Sequence, residues 1–229
     1  MSTKTNRWRW SQWHFDTRRT PEQNLKDSYI QVCKFNSDWT QEIQDCQPNS
    51  MPWGWADSEN LDISNSYQYE GFILTKQMTR DLKNVAANKS VDRAIADSVP
   101  KFINMSKILG LKDCTIRYHN QRPGQMLHTH VDYLYGPEAT RIEKNPDLVR
   151  RFAIMLSDWE LGQVFMLGNS CWTQWSAGDC ITWNWRDIPH STANTGFADR
   201  HMVQITGLAS DETDLILQTA SPDKVFTLL

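Results

Sequence analysis

No stretch of this 229-residue chain approaches the roughly 18–20 consecutive apolar residues of a membrane-crossing helix. The opening residues, MSTKTNRWRWSQW, lack the apolar segment of a secretory signal. The expectation is a cytoplasmic protein with no membrane partner. No cysteines stand at C-x-x-C spacing: Cys33, Cys46, Cys114, Cys171 and Cys180 are odd in number and far apart. That pattern points to reduced thiols and argues against a cysteine-built zinc site. There is no basic excess, the formal net charge being −3. Nucleic-acid phosphate is therefore not expected as the main partner. The one basic cluster, Arg7, Arg9, Arg18 and Arg19 among Trp8, Trp10, Trp13 and Phe15, reads as an arm docked on the main domain. No internal repeat or low-complexity tract is present, so the length fits one large domain or a core with an extension.

Tryptophan, by contrast, is abundant, with eleven residues. Each indole offers a large apolar face and an N–H that needs a partner when buried. Trp172, Trp175, Trp183 and Trp185 gather near the candidate chemistry below, where they either line a substrate channel or pack the core.

Residues 1–75 are rich in Trp, Asn, Ser, Gln and Asp with weak periodicity, and read as an N-terminal extension packed on a core formed by residues 76–229. From Thr79 to Leu111 the apolar spacing, including Val91, Ala94, Ile95, Val99 and Phe102, predicts helix, broken near Val99 by Pro100 and ended by Gly110. Beyond Cys114 the pattern changes to short strands with turn signals. Thr115–His119, Met126–Asp132, Phe152–Leu156, Gln163–Leu167, Cys171–Trp175, Cys180–Trp185 and Met202–Thr206 are the predicted strands. Turns fall at Pro123-Gly124 and Gly168-Asn169. Tyr135–Val149 is a long excursion between strands. The expected class is mainly β with flanking helices, a barrel or sandwich.

The segment LHTHVD is the first chemical signal. In an extended strand His128, His130 and Asp132 share one face. His190 follows Pro189, and ten positions further on Arg200 opens a strand. There Arg200, Met202, Gln204 and Thr206 share one face, and His201, Val203 and Ile205 the other. Two imidazoles and one carboxylate are the ligand type of non-haem iron(II) oxygenases. An Arg at the head of a partly polar face suits an anion, because its planar fork grips both oxygens of a carboxylate.

In this order and spacing the residues resemble the 2-oxoglutarate/iron(II) dioxygenase superfamily, across about residues 114–207. IRYHNQRPGQMLHTHVDY is similar to prolyl-hydroxylase-like members, and WSAGDCITWNWRDIPHSTANTGFADRHMVQITG to the aspartyl/asparaginyl β-hydroxylase branch. The resemblance implies a double-stranded β-helix (jelly-roll, cupin-like) core and iron(II) on His130, Asp132 and His190. It also implies 2-oxoglutarate as co-substrate on Arg200 and Tyr118, O₂ as oxidant, and ascorbate as a possible stimulant. The implied reaction is hydroxylation of a C–H bond on a protein or peptide side chain, with a small amino acid or metabolite as the alternative substrate. Members commonly carry Ser or Thr two positions after the Arg. Here that residue is Met202, and Tyr118 is expected to share the work. His128 is an alternative ligand to His130, or else faces substrate. His14, His119 and His201 fit no pattern and read as structural or exposed. A cupin-like metal-binding protein without oxygenase activity is the competing class. Oligomeric state is not legible.

Overall fold

The computed structural model describes residues 28–53, 91–130, 132, 145–168, 170–186 and 188–228. Arg7 to Arg19, residues 79–90 and most of the 135–149 excursion lie outside them.

The described residues form a two-sheet β-sandwich with helices on one side. In chain order they are β1 (Ile30–Asn36), α1 (Thr40–Cys46), β2 (Met51–Trp53), β3 (Val91–Ile95), α2 (Pro100–Ile108), β4 (Lys112–Gln121), β5 (Met126–His130) and β6 (Val149–Met155). Then come β7 (Gln163–Leu167), β8 (Ser170–Trp172), β9 (Asp179–Thr182), β10 (His190–Asn194), β11 (Arg200–Leu208), α3 (Asp211–Gln218) and β12 (Val225–Thr227). The large sheet runs β12-β1-β9-β6-β11-β4-β3-β2, and the small one β5-β10-β7-β8. From β4 to β11 every connection except the β7–β8 hairpin crosses from one sheet to the other, as in a jelly roll. The expected jelly-roll core with flanking helices is what the chain forms.

Side-chain alternation divides the interior into two layers. On β11, Val203 and Ile205 face the helices and join Tyr118, Phe152, Ile154, Phe102 and Met105 in one core. Met202 faces the small sheet and packs with Met155, Ile181, Phe165, Leu167 and Trp183 in the other. Truncating a fully buried Phe such as Phe152 costs about 3–5 kcal/mol.

Local rules explain most elements. Pro100 occupies the first turn of α2, where its missing N–H is harmless. Phe102, Met105 and Leu109, three and four apart, are fully buried. Gly110 follows with φ +68°, and a Cβ there would meet the Thr213 backbone nitrogen at 2.6 Å. The expected helix end is therefore correct. The helical expectation over Val91–Val99 is corrected: Val91–Ile95 is a strand, paired with β2 and β4. Its apolar residues satisfy a helical period by coincidence. With β4 alongside, Val91, Asp92 and Ala94 are all buried, so one face of a helix is not what the sequence was encoding.

Other boundaries shift modestly. β9 ends at Thr182, so Trp183 and Trp185 lie in the loop leading to His190. Gly124 (φ +84°) and Gly168 (φ +58°) sit in the predicted turns.

Candidate metal centre

β10 opens with His190, directly opposite His130 at the end of β5. The β5–β10 register shifts between His190 and Thr192, where Leu127 rather than His128 becomes the partner on β5. Asp132 follows just beyond β5. One ligand atom from each of His130, Asp132 and His190 lies within 4.8 Å of the other two. His130 Nε2 is 3.8 Å from Asp132 Oδ1, and His190 Nε2 is 3.7 Å from Asp132 Oδ2. Both imidazoles are buried, and the rings sit with centroids 4.4 Å apart. Metal bonds of about 2.0–2.2 Å set facing donors roughly 3–3.5 Å apart, so a small contraction seats an ion.

Neighbouring groups prepare the donors. His190 Nδ1 is 3.2 Å from the Ile188 carbonyl oxygen, which only accepts. The proton therefore belongs on Nδ1, and the Nε2 lone pair is turned toward Asp132. Burial pulls His190 below its ordinary range, against the opposing pull of Asp132. Burial alone would raise the Asp132 carboxyl, but Arg151, His190 and His130 bring it down to about 2. Arg151 Nη1 lies 2.6 Å from Asp132 Oδ2, and its Nε donates to Thr206 Oγ1 at 3.0 Å. This fixed guanidinium orients the carboxylate and keeps it ionised. Trp183 stands edge-on to His190 (centroids 5.2 Å) and to Phe165 (5.7 Å), closing the site from the apolar side.

Arg200 is the second buried cation. It is 2 % exposed, and burial lowers its guanidinium from 12.5 to about 9. Its Nη1 makes one long hydrogen bond to the Val164 carbonyl oxygen (3.4 Å), and its Nε has no partner. The guanidinium lies 5.9 Å from the Phe165 ring, and His190 also borders that ring, at 6.1 Å. Arg200 and His190 thus both border one phenyl ring. Pairing of Arg200 with Asp199 does not occur: Asp199 instead accepts from Asn120 at 3.0 Å.

Of the five expected site residues, four converge on this interior. Tyr118 does not, and the expectation that it shares the co-substrate's carboxylate is corrected. It pairs with Val203 of β11, which faces the helices, whereas Arg200 faces the small sheet. Its hydroxyl is committed to His201 Nδ1 at 2.7 Å. His119, one position along and expected to be structural or exposed, is not exposed. It is buried on the same face as Arg200, with Arg93, Arg200, Arg151 and Asp132 as its charged surroundings. Only strand parity reveals this, since no motif marks it. The His128 side chain lies outside the described residues.

The four tryptophans pack the core, one of the two roles expected of them. All are buried in the inter-sheet core, and Trp183 and Trp185 also line a cavity of about 430 Å³. Its remaining walls include Tyr29, Asp147, Arg150 and Arg186, at the end of the sandwich where β1 and β6 begin.

Fold and site together define a jelly-roll protein with a buried His–Asp–His group suited to a divalent metal ion. No family model matches the sequence, and no curated protein matches it. Among solved structures, the chain is similar to the non-haem α-ketoglutarate-dependent epimerase SnoN from nogalamycin biosynthesis. That match has 11 % identity and a TM-score of 0.47, covering 81 % of this chain and 79 % of that one. A prolyl-4-hydroxylase from Pseudomonas putida matches at 15 % identity and TM-score 0.35, over 52 % of this chain and 72 % of that one. A predicted oxalate decarboxylase from Thermotoga maritima matches at 17 % and 0.33, over 52 % and 80 %. Among the described residues no helix is long and apolar enough to cross a membrane.

Proposed function

We propose that this protein is a non-haem iron(II) oxygenase that uses 2-oxoglutarate as co-substrate and hydroxylates a C–H bond. The observation that carries the reading is a pairing. His130, Asp132 and His190 bring their donors together, and beside Phe165, which also borders His190, sits a buried guanidinium with a single long backbone hydrogen bond. Such a cation is costly unless an anion meets it. Iron bound by the three donors would supply oxygen activation coupled to decarboxylation of the keto acid to succinate and CO₂.

The chain's own residues divide the remaining work. His130, Asp132 and His190 would hold the iron, and a set of only three protein donors would leave room on it for co-substrate and O₂. Arg151 holds one Asp132 oxygen, so the carboxylate presents the other. Arg200 grips the far carboxylate of 2-oxoglutarate. Trp183, Phe165 and Trp172 exclude water from the donors. The 430 Å³ cavity, of a size typical for small ligands, shares Trp183 with the His190 surroundings, which supports it as the place for the prime substrate. That substrate is a protein or peptide side chain, with a free amino acid or metabolite as the alternative.

The test is anaerobic loading with iron(II), followed by air, ascorbate and 2-oxoglutarate, with metal content and succinate both measured. The wild type is expected to hold one iron per chain and to form succinate. Asp132→Ala and His190→Ala are expected to do neither. Wild-type metal content and succinate in either variant would remove the triad. A wild type that holds iron but neither binds nor consumes the keto acid would instead be a metal-binding cupin-like protein.

A further inference from the structure

We infer that His119 completes the carboxylate subsite with Arg200, donating a hydrogen bond from Nε2 to the tail of the bound 2-oxo dicarboxylate. The inference rests on the oxygenase reading and assigns it a residue that the His-x-Asp…His…Arg pattern does not contain.

Strand register makes the case. In the β4–β11 pairing, Gln121 stands opposite Arg200 and His119 opposite Met202. Arg200 and Met202 share the face toward the small sheet, so Gln121 and His119 do too. These are the side chains of the two strands placed to share an anion with Arg200. Gln121 spends its amide N–H on Thr192 Oγ1 at 3.0 Å. Met202 has no donor. His119 is 8 % exposed, and its Nε2 is buried with no hydrogen-bond partner. An orphaned buried donor costs about 1–3 kcal/mol, which a suitably placed acceptor would remove.

The surroundings specify that acceptor. Besides Asp132, which the Arg151 ion pair engages, the charged groups acting on His119 are the guanidiniums of Arg93, Arg200 and Arg151. Burial and these cations hold the imidazole neutral, so it offers one N–H and carries no charge of its own. A neutral donor beside a guanidinium fits one carboxylate: Arg200 supplies the charge and His119 a directed hydrogen bond to it. This also accounts for Met202 following Arg200 without a hydroxyl. The missing donor comes from across the β4–β11 ladder.

The experiment is an anaerobic titration of iron(II)-loaded protein with 2-oxoglutarate, read by the visible charge-transfer absorbance of an iron(II)–2-oxo acid chelate. Pyruvate, which has the keto-acid head but no second carboxylate, is titrated in parallel. H119M and H119L fill the space without a donor and are expected to raise half-saturation by 2-oxoglutarate about tenfold, equivalent to about 1.4 kcal/mol. H119Q, which keeps an N–H, is expected to stay within about threefold of wild type, again read against that tenfold scale. Pyruvate binding is expected to be unchanged in all three. If wild type develops the absorbance but H119M and H119L titrate like it, the inference fails and the oxygenase reading stands. An equal loss for pyruvate would show that His119 acts through the fold and would also overturn the inference. If wild type develops no absorbance with either acid, the oxygenase reading falls and the inference with it.

Discussion

Replacing Arg200 by Met is expected to make the protein more stable and unable to bind 2-oxoglutarate. The charge of Arg200 is bought at a cost that the metal-free protein recovers poorly. The drop of its guanidinium from 12.5 to about 9 corresponds to on the order of 5 kcal/mol against the charged form. In return it gains one 3.4 Å hydrogen bond to the Val164 carbonyl and a face of Phe165. Met keeps the aliphatic stem and the contact with Phe165 while removing the ion. Exchanging a buried ion for an apolar side chain typically gains about 1–4 kcal/mol. A gain of about 2 kcal/mol would raise the melting temperature by roughly 4–8 °C in a chain of this size. The ligand response runs the other way. At 100 times its Kd, 2-oxoglutarate adds about 2.7 kcal/mol to metal-loaded wild type. The variant is expected to gain nothing. Scanning calorimetry of manganese(II)-loaded protein, with and without 2-oxoglutarate, measures both effects. A variant that melts below wild type, or that keeps the ligand-induced rise, refutes the reasoning.

Acidifying the metal-free protein from pH 7.5 to 5.5 should destabilise it. His119 and His190 are held below the ordinary range, chiefly by burial, so the unfolded chain binds more protons than the folded one as pH falls. A His that stays neutral across that interval costs about 1.4 kcal/mol, so the pair costs about 3 kcal/mol at most; melting temperatures that do not change over this range would contradict this. Tyr118→Phe should leave the concentration of 2-oxoglutarate needed for binding unchanged, because the hydroxyl lies on the far face of the sheet. It should cost about 1 kcal/mol through the lost bond to His201. A raised 2-oxoglutarate requirement in that variant would restore Tyr118 to the site. Gly178→Ala should lower the urea midpoint by the equivalent of roughly 3 kcal/mol or more, since φ is +90° and the new Cβ would lie 1.9 Å from the Phe35 carbonyl oxygen. An unchanged midpoint would show that the turn relaxes freely.

The triad and Arg200 were legible because they combine residue type with order along the chain, and each lies at or near a strand end whose apolar run is readable. Asp132, for instance, follows an alternating strand, and His190 follows a proline. His119 was not legible. Its place beside Arg200 depends on parity within β4 and on which residue of β11 stands opposite, and neither leaves a trace in local composition. Tyr118 was misassigned for the same reason: a shift of one residue moves a side chain to the other layer. β1 went unread because Val32, Cys33 and Phe35 are all fully buried, so the alternation that marks a half-exposed strand is missing. Val91–Ile95 was misread because five residues are too few to separate a strand from a helix turn by period.

The position of β1 bears on how the protein is produced and dissected. This strand sits between β9 and β12, antiparallel to one and parallel to the other. A fragment beginning at residue 76 would therefore strip the open backbone edge of β9 and leave the last strand of the chain with nothing to pair. Raw edges of that kind recruit other chains. Expression of residues 76–229 alone would yield aggregates even though His130, Asp132, His190 and Arg200 were all still encoded.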